Sequence, residues 1–257
     1  MIRPLLPARY RRTAGAVMVL CIGLVAALGV HFAGRAQAGR LDGAISGVLG
    51  VPRGPLRLAA HGFVDLGDPA PVAGALAVLV VLGWGLRGPR GALLGLLGPL
   101  LAMVSTSLVL KPLVGRTHAG GLALPSGHTT AVVSLAAAAA LLLAGTLTLP
   151  RAGRLAGVAA LGTLSVLVAV SLVVAGQHYG TDTFAGVGVA VAAVLLVALI
   201  IDHVAERWAL SSALPLPVAT KARRPTRSSS CDRAPGPRPG PIAERRVRHA
   251  GCVDASR

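Results

Sequence analysis

The chain has 257 residues, of which 54% are hydrophobic and only 13% charged, and its mean hydropathy is +0.72. A soluble domain carries about a quarter charged residues, so the composition excludes a soluble globular class and points to a membrane protein. The net charge of +16 would suggest nucleic acid in a soluble chain, but here the arginines stand between and after apolar runs. That placement sets membrane orientation, and no nucleic-acid partner is expected.

Six apolar segments approach the roughly 20 residues that a helix needs to cross a bilayer. They are 13–33, 71–86, 91–110, 129–149, 155–175 and 183–201. The expected fold is all-α, an integral membrane bundle of six transmembrane helices. Residues 1–202 form the membrane domain, its chemistry lying in 91–202, and residues 203–257 form a basic tail.

The first segment follows Arg3, Arg9, Arg11 and Arg12 and runs toward Ala36-Gln37-Ala38, a cleavage-like small-x-small pattern. Its apolar stretch is longer than a signal-peptide core, which favours an uncleaved anchor. In the loop 34–70, Leu41, Ile45, Val48 and Leu49 are spaced as on a helix lying at the interface. Pro99 falls inside the third segment, where a proline can kink a helix.

The tail is rich in Pro, Arg, Ser and Gly and reads as disordered. Its arginines suit either anionic headgroups or plain solvation. Cys21 lies in a span and Cys231 and Cys252 in the tail, without CxxC spacing, so no disulfide framework is expected. The basic N-terminus, the connections bearing Arg87, Arg90, Arg151 and Arg154, and the tail all share one side if there are six spans. The positive-inside rule makes that side cytoplasmic and places both termini there. Arg35, Arg40, Arg53 and Arg57 in the loop 34–70 dilute the asymmetry without reversing it.

Three polar stretches interrupt the apolar chain, all on the expected outer side. The first runs from Lys111 to Arg116 and His118. The chain has only two lysines, so one placed where arginine is otherwise used suggests a compact ammonium, and Arg116 adds a fork suited to phosphate oxygens. The second is Pro125-Ser126-Gly127-His128 at the mouth of a helix. A helix N-terminus offers unpaired N–H groups to an anion, and a histidine there can protonate a leaving oxygen. The third is His178-Tyr179-Gly180-Thr181-Asp182, in which a carboxylate four residues from a histidine can fix its tautomer. A metal site would need further ligands nearby, so no metal or cofactor is expected. A Ser/His/Asp hydrolase fits the residue types, but the surrounding cations favour a phosphate over a neutral ester.

These stretches resemble the type 2 phosphatidic acid phosphatase family, the lipid phosphate phosphatases related to vanadium haloperoxidases. The family pattern is Lys-x6-Arg-Pro, then Pro-Ser-Gly-His, then Ser-Arg-x5-His-x3-Asp. The middle motif is complete here. The outer two have His118-Ala119 for Arg-Pro and Leu172 for the second arginine. The resemblance implies a metal-free phosphatase acting on a lipid phosphate or prenyl diphosphate from the outer face of the cytoplasmic membrane. It gives His178 the role of nucleophile, Asp182 that of its orienting partner and His128 that of the acid. Lys111, Ser126 and Gly127 would hold phosphate, with Arg116 and His118 in reach of the same task. The two missing arginines leave open a non-catalytic or weakly active lipid-phosphate binder or transporter of the same fold. Vanadate-dependent halide oxidation is disfavoured, since those relatives are soluble.

Overall fold

A computed structural model describes residues 4–50, 54–146 and 148–213. Helix α1 (Ala8–Phe32) is followed by two short helices, α2 (Arg40–Leu49) and α3 (Pro55–Asp65). Then come α4 (Pro69–Arg87) and α5 (Pro89–Val104). A π-helical turn (Ser105–Leu110) carries α5 into α6 (Lys111–Val114). A two-stranded hairpin, β1 (Thr117–His118) with β2 (Gly121–Leu122), leads to α7 (Gly127–Ala144), α8 (Arg151–Val174) and α9 (Gly180–Ala213). Six of these runs are long and apolar enough to cross a membrane: α1, α4, the α5–α6 run, α7, α8 and α9.

The two innermost helices are α7 and α9, half of whose apolar windows are buried, against 11–33% for the other four. Leu94, Ala138, Leu142, Val194 and Ala198 pack between α5, α7 and α9 as the largest core cluster. Where backbones meet most closely the chain uses glycine: a Cβ on Gly186 of α9 would lie 2.9 Å from the Ser126 carbonyl at the start of α7. Outward-facing apolar side chains such as Val30, Leu108 and Leu113 are 71–82% exposed. In water such a surface would drive association, whereas in a bilayer lipid tails cover it.

The six expected spans are all present, though several ends differ: α1 begins at Ala8 rather than 13 and α8 at Arg151 rather than 155. Helix α7 ends at Ala144 rather than near 149, and the chain restarts as α8 after Pro150. Helix α9 continues beyond 202 to Ala213, because its first charges are used rather than solvated. Asp202 is buried and accepts the Leu5 and Leu6 N–H groups at 2.8 Å each. Glu206 pairs with Arg11. The tail from 214, with Cys231 and Cys252, lies outside the described residues, as does Arg53.

Candidate active site

The site forms at one end of the bundle, where α1, α6 and α8 finish and α7 and α9 begin. Helix α8 closes with Gly176 at positive φ (70°) just past its cap at Ala175, the usual left-handed stop. The turn is pinned to α8 by the Leu172 carbonyl, which accepts from Gln177 N–H at 3.0 Å and His178 N–H at 3.3 Å. Helix α9 then begins, and Asp182 reaches back to accept the Tyr179 N–H at 3.1 Å, as in a capping box. This local folding places the same carboxylate oxygen, Oδ2, 3.5 Å from His178 Nδ1. That nitrogen is buried and makes no hydrogen bond of its own among the described residues.

The second motif is tied to the third through the backbone, since Ser126 N–H donates to the Asp182 carbonyl at 2.9 Å. The Ser126 hydroxyl caps α7, accepting from Thr129 N–H (3.4 Å) and the Thr129 hydroxyl (3.1 Å). The next two amides, those of Gly127 and His128, donate to no acceptor among the described residues, so the N-terminus of α7 presents both. Lys111 lies beside them: its Nζ is 3.7 Å from where a Cβ on Gly127 would sit. The π turn immediately before Lys111 changes the helical register at this point, a device frequent at functional sites.

His128 is about one-third exposed, and its Nε2 lies 3.2 Å from Oδ1 of Asp68. Asp68 precedes α4, where it would ordinarily cap the helix, but its side chain makes no cap and faces the histidine instead. Gly67 lets this loop lie flat on the ring, for a Cβ there would fall within 2.8 Å of three His128 carbons.

Arg116, expected to bind phosphate, is placed differently. It is fully buried and its fork is taken by carboxylates. Nη1 donates to Asp182 Oδ1 and the Thr181 hydroxyl, both at 2.6 Å, and Nη2 donates to Asp42 Oδ2 at 2.7 Å. Its flat faces lie against the rings of Phe32 and Tyr179, 3.9 and 4.4 Å from their centroids. Asp42, on α2, is equally buried. Burial alone would push its pKa up, but N–H groups of Thr181 and Gly39, the Thr181 hydroxyl and Arg116 outweigh that and hold it below the ordinary carboxylate range. The segment expected to lie on the interface is thus helical, with its acid turned inward to brace Arg116.

His118 is likewise turned away from a phosphate role. Its Nε2 lies 2.9 Å from the Gly176 carbonyl and its ring meets Tyr179 edge-on at 4.3 Å. The hairpin turn behind it has positive φ at both central residues, Ala119 (48°) and Gly120 (81°). Proline, fixed near −65°, cannot occupy position 119 in that turn, so the departure from Arg-Pro is built into the backbone. Leu172, the second departure, is fully buried among Val64, Val132 and Val168.

Asp42 and Asp68 are the two residues of this site absent from the sequence-based expectation. The signal that points to them is scarcity: the chain has nine acidic residues, and three of them, Asp42, Asp68 and Asp182, converge here. Among the described residues, no group of three His, Cys, Asp or Glu comes together as a metal site would need.

Six helices long and apolar enough to cross a membrane, with two histidine–carboxylate pairs and a lysine gathered at one end, are the architecture of a multi-pass membrane protein. The PAP2 superfamily model matches residues 72–205, a little over half of the chain, and the chain belongs to that superfamily. Its fold is similar to the crystal structure of a transmembrane PAP2-type phosphatidylglycerolphosphate phosphatase from Bacillus subtilis. That match has a TM-score of 0.56 and 21% identity, covering 77% of this chain and 97% of the other. No curated protein matches the chain.

Proposed function

We propose that the protein hydrolyses a lipid phosphate or prenyl diphosphate through a phosphohistidine on His178. The observation that carries this is the convergence of the His178–Asp182 pair and the unpaired Gly127 and His128 amides, locked together by the Ser126–Asp182 backbone bond. With Asp182 holding Nδ1, the Nε2 lone pair of His178 attacks phosphorus and the bond to the leaving oxygen breaks. His128, steadied by Asp68, gives that oxygen its proton. Water then attacks the phosphohistidine, His128 takes up the water's proton, and inorganic phosphate leaves. The 3.5 Å separation in the resting site tightens as charge develops on the ring.

The phosphoryl oxygens are held by the Gly127 and His128 N–H groups and by Lys111, while Ser126 keeps that helix mouth in shape. Arg116 acts at one remove, fixing Asp182. The lipid class of substrate is supported by a cavity of about 640 Å³ reaching Pro125, walled by Val25, Val30, Leu110, Val189 and Leu196. An acyl or prenyl chain lying there brings its headgroup to the residues after Pro125. Phosphatidylglycerol phosphate, phosphatidic acid and a prenyl diphosphate all meet that description. The positive-inside asymmetry supports a site on the outer face of the cytoplasmic membrane.

A second reading, a lipid-phosphate binder without turnover, is favoured by one observation: His118, Leu172 and Arg116 all fail to present a cation to the helix mouth. Phosphate release from a panel of lipid phosphates by purified protein, beside His178→Ala, separates the two. Hydrolysis lost in the variant supports the first reading, and binding of the panel without release by the wild type supports the second.

A further inference from the structure

The opposite end of the bundle carries a second cavity, one with arginines in its wall. It lies where the stretch before α1, the ends of α4 and α7 and the start of α8 come together, and it encloses about 950 Å³. Arg9, Arg87, Arg151 and Arg154 line it, and no carboxylate is among the described residues of its wall. Two carboxylates described at this end are engaged elsewhere: Asp202 takes the Leu5 and Leu6 amides, and Glu206 takes Arg11. Arg154 donates through Nη1 to the Ala144 carbonyl at 3.1 Å, as a cation at a helix C-terminus does. Its Nε is nevertheless buried without a hydrogen bond among the described residues. Arg9, Arg151 and Arg154 together give the cavity a positive wall, which favours an anion.

Leu141, Ala144 and Val158 are shared between this cavity and a neighbouring groove of about 310 Å³, whose wall is entirely apolar and continues along α7, α8 and α9 through Ala140 and Leu195. A cationic chamber opening into an apolar groove between membrane helices matches the two parts of a lipid. We propose that it binds a phospholipid with an anionic headgroup, the phosphodiester among the arginines and one acyl chain in the groove. The site is separate from the catalytic one, which lies at the other ends of the same helices.

The test uses the full chain in phosphatidylcholine nanodiscs containing a minor fraction of phosphatidylglycerol, with retained lipid counted by native mass spectrometry. The wild type retains phosphatidylglycerol in preference to phosphatidylcholine. Arg9→Glu/Arg151→Glu alters two exposed residues and so preserves the fold. It lowers that retention about tenfold or more. Arg12→Glu/Arg90→Glu makes the same charge change outside the cavity and leaves retention intact, as does His178→Ala. Equal loss in both arginine pairs would reduce the effect to diffuse charge and overturn the proposal. So would equal retention of phosphatidylcholine, loss in His178→Ala, or displacement of the lipid by millimolar inorganic phosphate.

Discussion

His178 and His128 lie at the same end of the bundle but are held in different ways. His178 is 12% exposed, and the carboxylate beside it is fixed by a buried chain running from Asp182 through Arg116 to Asp42. His128 is 31% exposed, and its partner Asp68 is itself half exposed, its carboxylate making no second ion pair among the described residues. One histidine is set in the fold and the other leans against its edge. A nucleophile has to meet phosphorus in one geometry. An acid has to follow a leaving group that departs into solvent, and a looser mount serves it. Arg116 shows how the first is achieved: alone, its guanidinium would be a costly buried charge, but between two carboxylates and two rings it ties the end of α1, helix α2 and the start of α9 to one point.

The contrast can be broken at several places. His178→Ala is expected to lower phosphate release by about a thousandfold or more, with thermal unfolding in detergent little changed. Arg116→Ala strips the brace and leaves two buried carboxylates facing each other. Its expected cost is about 3–5 kcal/mol of stability, read as a lower unfolding temperature, and Arg116→Lys restores little of it because an ammonium cannot fork to both acids. Leu172→Arg forces a guanidinium among Val64, Val132 and Val168. It is expected to destabilise by roughly 3 kcal/mol without raising the rate; a rise in rate would mean that the site can still accept the missing clamp. Asp68→Ala removes an exposed pair worth about 1 kcal/mol or less, so turnover should fall about fivefold with no loss of stability. The smallest effect is on pH. Because Asp42 has a lowered pKa in the fold, its contribution is complete above the ordinary carboxylate value of about 4 and is lost as pH falls below it. Asp42→Asn should flatten that acid limb of the unfolding temperature.

The spans, the helix mouth and the His178–Asp182 pair were legible in the sequence because each is local: an apolar run, a Ser-Gly-His start, an i,i+4 spacing. Arg116 and His118 were legible as residues but not as roles. Both lie close in sequence to Lys111, and nothing local tells a phosphate clamp from a brace. What decides is Asp42, 74 residues away on α2, and the carbonyl of Gly176, 58 residues from His118. Leu172 is a similar case, since only the packing of α3 and α7 against α8 makes its side chain part of a core. The end of α9 is not legible because charge and helix end part company there: the Asp202 carboxylate is satisfied by the amides of Leu5 and Leu6.

The central claim is that His178 is the nucleophile. Rapid acid-free quenching of the wild-type protein with a lipid phosphate labelled on its phosphoryl group, followed by peptide mapping, tests it most directly. The label is expected on His178, at a level that rises in the first turnover and is absent in His178→Ala. Steady phosphate release with no label on His178, or release undiminished in His178→Ala, would contradict it.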